Sequence, residues 1–234
     1  MASVLDRVAG SVARTLLRGG TITSVVDLGE RFRSVKVAPR RPAAWGPGQK
    51  VQFQVRGVQF RTYTPHGWDG DGASFLAFRP GAGGPAEQWL EALAPGVEVA
   101  FFGPQGAVSL DPGTPPVFVG DETSFALTAA WLHAAGPAAA PVAQLYEVDD
   151  AAEAGAVLAR LGVVGAELTR RGDGSAEALA AQAVLAVTAH PDAPLVLTGQ
   201  AQTIAAVRKA VKAAGLAPTA RAKAHWDPSR TGLD

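Results

Sequence analysis

The chain has 234 residues, 47% of them apolar and 18% charged, enough for one large hydrophobic core or two small ones. Its 21 basic and 21 acidic residues cancel, so no net field draws it to nucleic acid or to an anionic membrane. With no cysteine it has no disulfide, Cys-ligated iron–sulfur cluster, thiol nucleophile or Cys-type zinc site, and any redox chemistry needs a borrowed cofactor.

The N-terminal MASVLDRVAGSVARTLL is broken by Asp6, Arg7 and Arg14 instead of forming a signal-peptide core, and no apolar run approaches the roughly 20 residues of a membrane span. A soluble, cytoplasmic protein is expected. Val4, Leu5, Val8, Val12 and Leu16 recur at helical spacing and predict a short amphipathic helix. FRSVKVA, KVQFQV, VQFRTYT, SFLAF and VEVAFFG then read as strands, separated by the turn clusters RRPAAWGPG, PHGWDGDG, RPGAGG and APG. Short strands at that spacing predict an antiparallel sandwich or small barrel over 1–112. DPGTPP (111–116) reads as a stiff linker, and over 113–234 the pattern changes. PVFVG, VAQLYEV, VVGAEL and PLVLTG each precede a helical segment, near 122–135, 150–161, 175–189 and 201–214, and RAKAHW closes the series as a strand. Repeated βα units of this kind predict a parallel sheet covered on both faces, with ligands at the carboxyl ends of its strands.

Several stretches carry candidate chemistry. In FRTYTPHGWDGDG, Arg61, Tyr63 and Thr64 cannot all belong to one apolar stripe of a strand; an edge strand running into a turn is the plain alternative to a ligand site. In GGPAEQW, Gly83 and Gly84 allow close backbone approach, Pro85 suits a first helical turn, and the amides there can hold a phosphate; Trp89 reads as a core anchor. GDET places Asp121 and Glu122 where a strand meets a helix, so they cap that helix or border a nucleotide. Arg170 and Arg171 are candidates for a 2′-phosphate, which favours NADPH, with a solvated surface pair as the plain alternative. Glu147, Asp149 and Asp150 are candidates for a free ribose, which favours NADH. Histidines 66, 133, 190 and 225 lack metal-ligand spacing.

The Arg-x-Tyr-Thr strand, GGPAEQW with the following APGVEVAFFGPQG, VGDETSFALTAAW and the late LTGQAQTIAAVRKAVKAAG fall in an order that resembles the ferredoxin–NADP reductase superfamily. More specifically, the chain resembles the siderophore-interacting proteins, FAD-dependent ferric-siderophore reductases, from about residue 21 onward. The resemblance implies an N-terminal FAD-binding β-barrel followed by an NAD(P)-binding α/β domain. It implies that Arg61 pairs with the FAD pyrophosphate, that Tyr63 packs on the isoalloxazine and that Thr64 bonds near its redox-active edge. Gly83, Gly84, Pro85 and Ala86 would line the pyrophosphate, while Asp121, Glu122 and Thr123 would border the nicotinamide. Trp226 would cover the flavin face, with burial in the last strand as the plain alternative. Electrons would pass from NADPH or NADH through FAD to a ferric siderophore or other iron chelate. A ferredoxin, quinone or free-flavin acceptor, or a non-catalytic carrier of flavin or siderophore, is the alternative.

Three departures from the family pattern stand out. Glu87 replaces the usual Ser, and is expected to turn outward from a pyrophosphate. Phe78, Arg79, Pro80 and Gly81 replace a His-Gly pair, with Arg79 as a substitute phosphate or adenine contact. His225, Trp226 and Asp227 replace a Tyr-Trp-Arg tail.

Overall fold

Side chains alternate between core and solvent along seven short strands, β1 (Arg18–Asp27), β2 (Phe32–Pro39), β3 (Lys50–Arg56), β4 (Gln59–Tyr63), β5 (Pro65–Asp69), β6 (Gly72–Phe78) and β7 (Glu98–Gln105). The computed structural model describes residues 17–106 and 108–229, so the helix predicted over 4–16 lies outside the described residues. The strands form one antiparallel sheet in the order β4-β3-β7-β1-β2-β6-β5. β4 and β5 lie at opposite edges of that order, yet only Thr64 separates them in the chain. The sheet must therefore curl until its edges approach, which makes a half-barrel with the Arg-x-Tyr-Thr segment at its seam. Ile22, Val35, Val37, Val51, Phe53, Phe75 and Phe101 fill the interior. A short helix, α1 (Pro85–Glu91), packs on it through Leu90 and Trp89.

Two local expectations change. β1 was not among the predicted strands, although it pairs with both β2 and β7 near the middle of the sheet. PHGWDGDG is not a turn throughout: Pro65–Asp69 is β5, paired with β6, and only Gly70 and Asp71 turn the chain. Pairing to β6 overrides the local turn chemistry of Pro, Gly and Asp.

The second unit takes in the described residues 108–229 together with 46–48. It contains β8 (Val117–Asp121), a 3₁₀ turn (Glu122–Ser124), α2 (Phe125–Ala135), β9 (Ala143–Val148) and α3 (Ala151–Arg160). These are followed by β10 (Glu167–Arg170), α4 (Ser175–Ala189), β11 (Leu195–Gln200), α5 (Ala201–Ala213) and β12 (Ala220–Trp226). The sheet is parallel, in the order β10-β9-β8-β11-β12, and the direction of winding reverses between β8 and β11. Apolar except at their carboxyl ends, where Asp121, Thr198 and Gln200 stand, β8 and β11 are buried on both faces, as a parallel sheet between helices requires. Val108 and Leu110 join Phe118, Leu127, Trp131 and Val196 in its core, and the Trp131 indole donates to the Asp111 carbonyl at 2.9 Å. The third strand begins at Glu167, later than VVGAEL suggests, because Val163 closes the end of α3 through the Leu158 carbonyl. Among the described residues no helix is long and apolar enough to cross a membrane.

Candidate functional site

Arg61 and Tyr63 stand opposite Phe53 and Val51 across the β3–β4 ladder, so both project onto the face that carries the barrel core. Tyr63 packs there against Phe53 and Trp89, with ring centroids 6.0 and 6.2 Å away. Burial pushes its hydroxyl above the ordinary tyrosine range, so it stays a neutral phenol. Arg61 is half-buried and donates to the carbonyl of Phe60 at 2.7 Å. Three other arginines of the barrel are paired with acids: Arg33 and Arg79 reach Asp27 at 2.8 and 3.2 Å, and Arg40 pairs with Glu98, whereas Arg18 donates to the Pro42 carbonyl at 3.3 Å. Among the described residues no carboxylate meets Arg61. A cation partly withdrawn from water without a counter-ion is an unfavourable arrangement that an anionic ligand relieves. The Thr64 hydroxyl, at the seam itself, has no hydrogen-bond partner among the described residues.

The glycine loop before α1 forms a backbone nest. Gly81 and Gly83 have φ of +83° and +64° on either side of Ala82, which turns three successive amides toward one point, an arrangement suited to an anion. That point is occupied from within. Glu87 Oε1 accepts from the Gly81 and Ala82 amides at 2.6 and 3.3 Å, and Oε2 accepts from Gly83. Glu87 therefore turns inward, to 8% exposure, where an outward orientation was expected; converging amides make charge-assisted bonds that solvent cannot match in geometry. Gly84 is the N-cap of α1 without a side-chain cap, Pro85 takes the first helical position, and the amides of Ala86 and Glu87 have no intrahelical acceptor.

Phe78 packs on Phe32 at 5.1 Å, with the Arg31 guanidinium 4.7 Å from its ring centre. Arg79, anticipated as a phosphate or adenine contact, donates instead to Asp27 Oδ1 at 3.2 Å and to the Glu30 carbonyl at 2.7 Å. It fastens the β1–β2 connection to the end of β6.

In the second unit the carboxyl ends of the strands carry a dense polar network. The Asp121 carboxylate, 1% exposed, accepts from the Thr123 amide and hydroxyl at 2.9 and 2.5 Å through Oδ1, and from the Trp226 indole at 2.7 Å through Oδ2. The Thr123 hydroxyl has one proton, which goes to Asp121, so His225 Nδ1, 2.9 Å away, carries the hydrogen of that bond. Burial holds the His225 pKa below its ordinary value, with Asp121 opposing and Lys223 assisting, and the ring is neutral. Gly199 passes so close that a Cβ there would lie 2.4 Å from Asp121 Oδ2, so only glycine closes this end of β11.

Arg171 gathers the remaining acids. It donates to Glu122 Oε2 at 2.7 Å, Glu147 Oε2 at 2.9 Å and Asp149 Oδ1 at 2.6 Å, and its guanidinium lies 5.4 Å from the Trp226 ring centre. Glu122 also accepts from the Asp149 amide at 2.6 Å; burial raises its pKa against that bond and the Arg171 charge. Glu147 is completed by Thr203 at 2.9 Å and by Ser175. The expected Arg170–Arg171 pair is thus separated. Arg170 ends β10 exposed and without a partner among the described residues, while Arg171 is fully engaged by carboxylates and is not open to a 2′-phosphate. Asp150 caps α3 through the Ala152 and Glu153 amides at 2.8 and 2.9 Å. Trp226 is half-buried, neither a sealed core residue nor a free ring. Ser175, Thr203, His225 and Gly199 complete this network without being singled out as ligand contacts in the sequence; only the strand order brings them to Asp121 and Glu147.

No protein-family model and no curated protein matches the sequence. Solved structures do match in fold. The siderophore-interacting protein of Acinetobacter baumannii superposes with a TM-score of 0.72 at 14% identity, over 92% of this chain and 92% of that one. A siderophore utilization protein from T. fusca gives 0.67 at 19% identity, over 93% and 95%. The Amycolatopsis cytochrome P450 reductase GcoB gives 0.67 at 22% identity, over 92% of this chain and 71% of that one. Likeness at these identities shows the fold, a ferredoxin-reductase-like pairing of antiparallel half-barrel and parallel α/β unit.

Proposed function

We propose that this chain is a flavin-dependent oxidoreductase that passes electrons from a reduced nicotinamide nucleotide through FAD to a ferric siderophore or similar iron chelate. The observation that carries the reading is Arg61: a half-buried guanidinium at the barrel seam with no carboxylate partner among the described residues, beside a neutral tyrosine ring. Planar guanidinium donors match phosphate oxygens, so Arg61 would hold the pyrophosphate. Tyr63, backed by Phe53 and Trp89, would offer a fixed aromatic surface to the isoalloxazine, and the Thr64 hydroxyl would serve its polar edge. Bound FAD would supply the conversion of a two-electron donor into single-electron deliveries, which reduction of Fe(III) requires. The residues of the seam fit that cofactor; the glycine loop, filled by Glu87, fits it less well.

The geometry favours NADH as donor. The end of β9 is acidic, and its nearest cation, Arg171, is held by three carboxylates, so a 2′-phosphate there would meet Glu147, Asp149 and Asp150. Exposed Arg170 supports a second reading with NADPH. A siderophore acceptor is favoured over a P450 partner by the extent of the likeness, 92% and 95% of the two siderophore-related chains against 71% of the P450 reductase. Fe(II) is held less tightly than Fe(III) by hard oxygen donors, so reduction releases the metal. A panel of ferric chelates with an Fe(II) trap tests the reading. Iron release driven by NADH is the expected result, and electron transfer only to quinones or free flavin would replace the siderophore with a general acceptor.

A further inference from the structure

We infer that Glu87 is an internal competitor for the phosphate of the flavin nucleotide, so that FAD is an exchangeable ligand of this chain and not a permanently held group. The inference rests on the flavin reading above. Its basis is a stand-in anion. Three successive amides, of Gly81, Ala82 and Gly83, converge on one point and a carboxylate from the same chain sits there, with 8% exposure. Such a nest satisfies one anion at a time. Glu87 follows Ala86 in the first turn of α1, and Trp89 on that helix packs against Tyr63, so the filled nest and the strand carrying Arg61 belong to one surface of the barrel.

Two negative groups drawn to that surface oppose each other. A pyrophosphate that takes the nest amides must first expel Glu87, and one that binds beside the nest, on Arg61, stands near an ionised carboxylate that the amides hold in place. Either way the charge of Glu87 lowers affinity for phosphate-bearing flavins and leaves the phosphate-free ring system unaffected. The effect is specific to this residue: Glu91, an exposed acid at the end of the same helix, has no place in the nest.

Purified protein stripped of flavin and titrated with FAD and with riboflavin, followed by quenching of flavin fluorescence, tests this. Glu87→Gln keeps an acceptor in the nest and removes the charge, and Glu87→Ser also frees the amides; Glu91→Gln is the charge control. The expected result is FAD binding at least tenfold tighter in both Glu87 variants, with riboflavin binding and the Glu91 variant unchanged. Weaker or unchanged FAD binding in the Glu87 variants, with wild type still binding FAD, would overturn the inference and leave the flavin reading standing. An equal gain for riboflavin would also overturn it, because a charge effect on phosphate cannot reach a ligand without phosphate. No FAD binding by wild type or any variant would remove the flavin reading and this inference with it.

Discussion

Arg61 in the middle of β4 and Arg171 just past the end of β10 are both half-buried arginines, and their surroundings differ in kind. Arg171 meets three carboxylates and an indole, whereas Arg61 meets one backbone carbonyl. The contrast separates two uses of one side chain. A guanidinium saturated by fixed acids holds strands together; one left without a counter-ion is open to an anion from outside. A pair of arginines in a sequence says nothing about which use applies until the acids around each are known.

Removing each arginine should break the comparison in opposite ways, and the largest effect belongs to Arg171. Arg171→Ala leaves Glu122, Glu147 and Asp149 unneutralised, two of them 3% exposed, and should destabilise by about 3–5 kcal/mol in a chemical melt, with Arg171→Lys recovering only part of the loss. A loss under about 1 kcal/mol would mean that the cluster is not holding the sheet. Arg61→Ala should leave the melt within about 0.5 kcal/mol of wild type while weakening FAD by about 2–3 kcal/mol, roughly thirty- to more than a hundredfold. Arg33→Ala, which breaks a pair with Asp27, should do the reverse, lowering stability and sparing flavin.

Much of this architecture was legible in the chain. The alternating segments, the switch to βα units after DPGTPP, and the glycines and proline ahead of α1 follow from local periodicity and turn chemistry. What was not legible depends on backbone dihedral angles or on groups far apart in sequence. Glu87 turns inward because of the dihedral angles of Gly81 and Gly83, and Arg171 is captured by acids from the turn after β8 and from the end of β9. Its neighbour Arg170 differs because it ends β10 exposed. β1 was missed because glycine at 19 and 20 weakens a strand pattern that pairing on both sides restores.

Smaller effects sharpen the account of the α/β unit. Trp226→Phe keeps the ring and loses the bond to Asp121, and should cost about 1–2 kcal/mol. A loss approaching that of a sealed core tryptophan would place the ring deeper than its half-exposed position. The smallest effect is a pH dependence. His225 has a depressed pKa in the folded protein, so the folded state binds its proton less readily than the unfolded chain. The stability it contributes is present above its ordinary value of 6.5 and is lost as pH falls through the lower folded value. His225→Asn, which keeps a donor to Thr123 and cannot titrate, should flatten that part of the melting profile and leave the rest; an unchanged slope would assign it to other groups.

Adding NADH, and separately NADPH, to the FAD-loaded protein under anaerobic conditions while the visible absorbance of the flavin is followed decides whether this chain is a flavin-dependent reductase. The account predicts that FAD co-elutes with the protein when supplied in excess and bleaches with either nucleotide, faster with NADH, and that the colour returns when a ferric chelate is added. A protein that takes up no flavin, or whose flavin neither nucleotide bleaches, would contradict it.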